Sequence, residues 1–255
     1  MQFPHHIKSN IVSISILFFL ISCNNTQEKT KEFADTTMVK QETPRPVKEN
    51  VISYKQQKAL TPDTVLQSLK DGNRRFAKNN VTARDHSSLV REASFGQFPK
   101  AVILSCIDSR IPVEDVFDKG IGDMFVVRIA GNIINDDILG SIEYACKVSG
   151  AKLIVVLGHS SCGAVNAAID NVKMGNITAL LSKIKPAVMK AQFFTGEKTS
   201  KNKEFSDLVG RNNVFNSIEV IKSKSPILRD MINQGEIKIA AAYYDMNTGE
   251  ATFFE

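Results

Sequence analysis

The chain has 255 residues, 43% of them hydrophobic, enough for one sizeable core with an appended tail. Its 32 basic and 27 acidic residues leave a formal charge of only +5, with no Lys/Arg stripe interleaved with aromatics, so nucleic acid is not an expected partner. Trp is absent, and Phe carries most of the aromatic content.

The amino terminus reads as an address. His5, His6 and Lys8 precede an apolar run from Ile11 to Leu20, too short to span a bilayer and placed like the core of a signal peptide. Leu20-Ile21-Ser22-Cys23 resembles a bacterial lipobox. That implies removal of residues 1–22, lipidation of Cys23, and a membrane anchor made of lipid rather than a helix. Asn24 stands where an inner-membrane retention signal usually has Asp, which favours the outer membrane of a bacterial envelope. Residues 24–58 are polar, with seven basic and five acidic side chains and little apolar period. Residues 23–60 are therefore expected to be the lipidated Cys and a disordered tether ahead of a single domain over 61–255.

Thr61-Pro62-Asp63-Thr64 is a helix start, and Val65, Leu66, Leu69 and Phe76 continue it at helical spacing as an N-terminal helical arm. A helix-to-loop segment, 87–98, leads to Ala101-Val102-Ile103-Leu104, a short apolar run of the kind that forms a buried parallel strand. Val113 to Phe117 makes a short helix. Asp123 to Ile129 predicts a second buried strand, Asp136 to Val148 a helix, Lys152 to Leu157 a third strand, and Gly163 to Asn171 a further helix. Residues 176–235 read as helical around a polar loop. Ile237 to Tyr244 predicts a fourth strand and Ala251 to Phe254 an edge strand. The alternation predicts an α/β fold: a mostly parallel central sheet of four strands plus an edge strand, flanked by helices.

Two strand ends carry the chemistry. The first opens into Cys106-Ile107-Asp108-Ser109-Arg110, and the third, 49 residues after Arg110, into His159-Ser160-Ser161-Cys162-Gly163. Open α/β sheets place their sites at such carboxyl ends. Two thiols and an imidazole suit zinc, and three protein ligands leave a fourth position open, as catalytic zinc sites do. Asp108, two residues from Cys106, falls on the same side if the extended alternation persists. A phosphate-loop reading of Gly158 to Gly163 fails, because Ala164 and Val165 stand where Lys and Ser/Thr are needed. Cys146 lies on the apolar face of its helix and reads as a buried core thiol.

The motifs CIDSR, GDMFVVRIAGN, GSIEYA and GHSSCGAVNAA, with the carboxyl-terminal SPILRD and YYDMNTG, closely resemble the β-class carbonic anhydrases over roughly residues 61–254. The resemblance implies one Zn²⁺ per subunit on Cys106, His159 and Cys162, and reversible hydration of CO2 to bicarbonate by a zinc-bound hydroxide. It makes Asp108 and Arg110 catalytic: Arg110 holds Asp108 in an open site, and in a closed one Asp108 takes the fourth metal position. Gln97, Phe125 and Tyr144 match substrate-site positions by spacing, nine residues before Cys106, nineteen after it, and fifteen before His159. Gly163 is also assigned to substrate binding. In the family such residues build a site across a dimer interface, so a homodimer or tetramer is expected. The family's second branch binds bicarbonate at a regulatory site through a Trp, which this chain lacks, so the plant-like branch is favoured. The alternatives are a carbon disulfide or carbonyl sulfide hydrolase on the same ligands, and a non-catalytic zinc- or bicarbonate-binding envelope lipoprotein.

Overall fold

The structure is a computed structural model that describes residues 51–254. The expected signal segment, Cys23 and most of the expected tether lie outside the described residues. Ser53 and Gln56 form a capping box that opens helix α1 (Tyr54–Ala59). Its Gln57 is buried and donates from Nε2 to the carbonyls of Pro99 and Ser149, each at 2.8 Å. Helix α1 thus lies ahead of residue 61, where the domain is expected to begin. A six-residue helix that buries one polar side chain has no apolar period to read.

The expected helical arm is α1 with α2 (Pro62–Ala77), which Thr61 caps and Pro62 opens. Val65 and Leu69 lay α2 on the chain's own sheet. Helix α3 (His86–Ala93) follows, with His86 exposed at its first position. Then come β1 (Ala101–Ser105), α4 (Val113–Val116), β2 (Met124–Arg128) and a 3₁₀ turn at Ala130–Asn132. Helix α5 (Asp136–Glu143) runs on as a π-helical turn over Tyr144–Val148, where Ser149 N reaches back to the Tyr144 carbonyl at 3.0 Å. The single helix expected over 136–148 thus widens in its last turn. Strand β3 (Leu153–His159) precedes α6 (Gly163–Ile169), α7 (Gly175–Ser182), α8 (Lys185–Lys190), α9 (Lys203–Lys224) and α10 (Pro226–Asn233). Strands β4 (Lys238–Tyr244) and β5 (Ala251–Phe254) end the chain.

The sheet has the order β2-β1-β3-β4-β5, with only β5 antiparallel to its neighbour. Alternation sorts its side chains. Val102, Leu104, Ile154 and Val156 face Ile142, Val214, Ile221 and Leu228 of α5, α9 and α10. Ala101, Ile103, Val155 and Leu157 face Val65 and Leu69 of α2 and Val113 and Val116 of α4. Strands β1 and β3 are buried on both faces, which is why they read as continuous apolar runs. Strand β2, expected to be buried, is a half-buried edge. Its run MFVVR looks central because its apolar residues are not confined to one face. From β1 the chain goes to β2 on one side, and β3 lies on the other, so the carboxyl ends of β1 and β3 flank a topological switch point. No helix among the described residues is long and apolar enough to cross a membrane.

Candidate metal centre

The switch point is where the ligands meet. Cys106 follows the last residue of β1, His159 ends β3, and Cys162 stands at the entrance of α6 after a tight turn in which Ser161 has φ +56°. All three are buried, and one ligand atom from each lies within 4.8 Å of the others. The two Sγ atoms are 4.0 Å apart. The backbone N–H of Gly131 points at Cys106 Sγ at 3.3 Å. Gly131 is required there: its φ is +67°, and a Cβ would lie 2.6 Å from Ile184 Cδ1.

Two observations show that the residues fit zinc. His159 Nδ1 bonds the Ser160 carbonyl at 2.9 Å, so Nδ1 carries the proton and Nε2 presents its lone pair. That Nε2 is buried and has no hydrogen-bond partner. A buried lone pair left empty is costly, and a cation among two sulfurs satisfies it. The thiols give the same indication. The hydrogen bond between them holds Cys106 well below the usual thiol range, while that bond and burial push Cys162 up. One thiolate forms readily in the metal-free pair, and the second needs a positive charge beside it.

Asp108 lies at the rim. Arg110 grips it with Nε to Oδ1 at 2.9 Å and Nη2 to Oδ2 at 2.8 Å, and the Arg110 backbone N–H adds a third bond to Oδ1 at 3.1 Å. The Arg110 hydrogen bond is the main reason the Asp108 carboxyl is lowered to about 2. Oδ2 is 4.0 Å from His159 Nε2. This is the paired arrangement that the family resemblance associates with an open site. The alternation expected of Cys106 and Asp108 survives beyond the strand, since Ile107 between them points outward and is 60% exposed.

One residue given no role in the sequence reading holds this loop. Arg128, at the end of β2, donates from Nε to the Cys106 carbonyl at 3.0 Å and from Nη2 to the Asp108 carbonyl at 2.5 Å. Its place in VVRIAGN beside CIDSR was visible, but a side chain bonding to backbone leaves no pattern of its own. Cys146 is buried as expected, and burial pushes its thiol up to about 12.

The expected substrate residues are placed elsewhere. Phe125 and Tyr144 share a groove of about 580 Å³ with Val127, Asp136 and Gly140. Gln97 and Tyr144 line another of about 620 Å³ with Tyr54, Phe98 and Lys147. None of Cys106, Asp108, His159 and Cys162 lines either groove. Phe125 pairs with Val102, four residues before Cys106, or roughly 13 Å along the strand. Neither groove joins these three residues to the chain's own metal centre. Gly163, in contrast, sits exposed beside Cys162, with open space where a side chain would stand.

A family model described as carbonic anhydrase matches residues 101–251. Carbonic anhydrase 2 of Mycobacterium tuberculosis is 36% identical over 196 residues, which span 74% of this chain and 91% of that protein. Among solved structures, the β-carbonic anhydrase CcaA superposes with a TM-score of 0.60 at 22% identity, covering 74% of this chain and 95% of that one. The β-carbonic anhydrase CafA of Aspergillus fumigatus gives 0.59 at 23% identity over 76% and 90%. With its ligand triad at the switch point of the same fold, the chain belongs to the carbonic anhydrase family, in its β class.

Proposed function

We propose that the protein is a zinc-dependent carbonic anhydrase that interconverts CO2 and bicarbonate at the Cys106–His159–Cys162 centre. The observation that carries this reading is the buried, unpartnered Nε2 of His159, set beside two thiols and 4.0 Å from a carboxylate that Arg110 already holds. Held by these three residues, Zn²⁺ supplies a Lewis acid that makes water a nucleophile near neutral pH. Asp108 stays ionised throughout the working range. Arg110 fixes its plane, and Oδ2 keeps acceptor capacity toward the centre, so Asp108 can take a hydrogen bond from the attacking water and set its orientation. Arg110 also keeps the carboxylate off the open ligand position; breaking the pair would free Asp108 to compete for it.

Gly163 leaves room for substrate beside Cys162. The released proton leaves toward solvent on the Asp108–Arg110 side, where the Arg110 side chain is 56% exposed. Gln97, Phe125 and Tyr144 act in this reading from another copy of the chain, in a homodimer or tetramer whose neighbours complete one another's sites. The lipobox-like Leu20 to Cys23 supports a lipoprotein form, with Cys23 anchoring the enzyme at the periplasmic side of a bacterial envelope. Metal analysis with stopped-flow CO2 hydration tests the enzyme, and mass spectrometry of the exported protein for a diacyl adduct on Cys23 tests the anchor. Turnover of carbon disulfide with no hydration of CO2 would reassign the substrate on the same ligands.

A further inference from the structure

We propose that Tyr243 is a positioning residue for the metal centre: its ring, wedged between Gly158 and Gly210 and tied through its hydroxyl to Asp207, fixes the end of β3 that carries His159. The inference rests on the metal reading above and concerns how this chain holds its own ligand.

The register of β3 and β4 sets Tyr243 opposite Gly158 and Tyr244 opposite His159. A Cβ added to Gly158 would lie 2.5 Å from Val214 Cγ2 and 3.1 Å from Tyr243 Cδ2. A Cβ added to Gly210, on α9, would lie 2.6 Å from the Tyr243 hydroxyl. Neither glycine has a positive φ, so neither is there for backbone freedom. Gly210 makes room for the ring from the helix, and Gly158 makes room for both Val214 and the ring from the strand. Arg211 closes the slot, its guanidinium 5.6 Å from the ring centroid.

The hydroxyl then fixes the ring along its long axis. Tyr243 Oη donates to Asp207 Oδ1 at 3.1 Å, and Lys203 Nζ donates to Asp207 Oδ2 at 2.5 Å. Tyr243 and Asp207 are each 8% exposed. Burial first, and then the charge of Asp207, pushes the phenol far up, so it is a neutral donor at any working pH. A Phe would bury the same ring but leave Asp207 Oδ1 without its phenol donor. What the pair adds is direction.

The same helix also holds the other two ligand segments. Asn213 donates to the carbonyl of Gly131, whose N–H meets Cys106 Sγ, and Ser206 donates to Asn166 on α6, which follows Cys162. Tyr243, with Val214 beside it, links α9 to the strand end that leads into His159. Losing a hydrogen-bond partner of a metal ligand typically costs about 10–100-fold in metal affinity, and Tyr243 stands one step further out, behind the strand that carries His159.

The test replaces Tyr243→Phe, which removes one oxygen and keeps the ring, in protein loaded with Co²⁺. The readouts are the visible d–d spectrum, the rate of metal release to a chelator, and the melting temperature. Y243F is expected to alter the cobalt bands and to release metal about tenfold faster. Asp207→Asn, which retains an acceptor for the hydroxyl, should stay close to the unaltered spectrum. Gly210→Ala, which displaces the ring, should match or exceed Y243F. A lower melting temperature in Y243F and G210A with unchanged bands and release rate would mean a purely structural role and would overturn the proposal. Failure of the unaltered protein to take up Co²⁺ would overturn the metal reading, and this inference with it.

Discussion

Cys106, His159 and Cys162 converge from three segments on the carboxyl ends of β1 and β3, buried and within 4.8 Å of one another. Phe125 lies on the β2 edge, Tyr144 in the helix beside it and Gln97 ahead of β1, in grooves that those ligands do not line. Tyr144 is 51% exposed. The two regions differ in what completes them. Parallel pairing of β1 with β3 brings the ligands together inside one chain, in the register Ser105 opposite Leu157. The β2 edge has a strand partner on one side only, and its Phe125 pairs with Val102, four residues before Cys106. One region is assembled within the chain; the other, in the reading proposed above, is half of a site that a second copy completes.

The largest effect should come from breaking the finished region. Cys106→Ser removes a thiolate from a three-ligand set, so bound zinc and CO2 hydration should both be lost, hydration by roughly a thousandfold or more, as metal analysis and stopped flow would show. Asp108→Asn should separate holding from turning over. It leaves the three ligands in place but weakens the paired contact with Arg110, so zinc should stay near one per chain while turnover falls by about a hundredfold or more. Loss of zinc in D108N would make Asp108 part of the holding set instead.

The unfinished region is sharpened by mixing. Tyr144→Ala alone should cost roughly tenfold in hydration, since it removes lining and no ligand. Co-refolding it with C106S subunits should yield hybrids in which the intact groove of one copy faces the intact metal of the other. Activity above the average of the two parents is the expected result; activity at that average would place the groove's role within one chain. The smallest effect belongs to Cys146, a buried core thiol that borders the Gln97 groove but has none of the roles assigned above. Cys146→Ala should lower stability by about 1 kcal/mol through a small cavity and leave hydration unchanged.

Acid should reach the Asp108 rim of the metal centre only at low pH. Asp108 is lowered from 3.8 to about 2. A carboxylate depressed on folding contributes stability that is fully present above its unfolded pKa and fades as pH falls through the folded one. The Asp108–Arg110 contribution should therefore be intact above about pH 4 and vanish toward pH 2, with a carboxyl titration followed by NMR placing its midpoint near 2. A midpoint near 4 would mean that Arg110 does not hold Asp108 in solution.

Much of this was legible in the chain itself, for physical reasons that can be named. Strands β1 and β3 announce themselves because both faces are buried, and the ligands because thiol, imidazole and carboxylate follow those runs directly. The edge position of β2 was not legible, since MFVVR carries apolar residues on both faces whatever its neighbours. Helix α1 escaped because Gln57 anchors it through backbone carbonyls rather than an apolar stripe. Arg128 escaped for a similar reason, as it grips the carbonyls of Cys106 and Asp108. The Tyr243 wedge depends on two glycines, Gly158 and Gly210, that no short-range pattern connects. Spacing within a segment was readable; contacts between segments had to be seen.

The measurement that tests the account most directly is stopped-flow CO2 hydration by the purified, zinc-loaded protein at pH 7 and pH 8.5. The two thiolates of Cys106 and Cys162 offset the cation's charge more than neutral imidazoles would, so activity should rise into the mildly alkaline range. The account predicts acceleration that is greater at pH 8.5 and disappears in C106S and D108N. Zinc bound in full with no acceleration at either pH would contradict it.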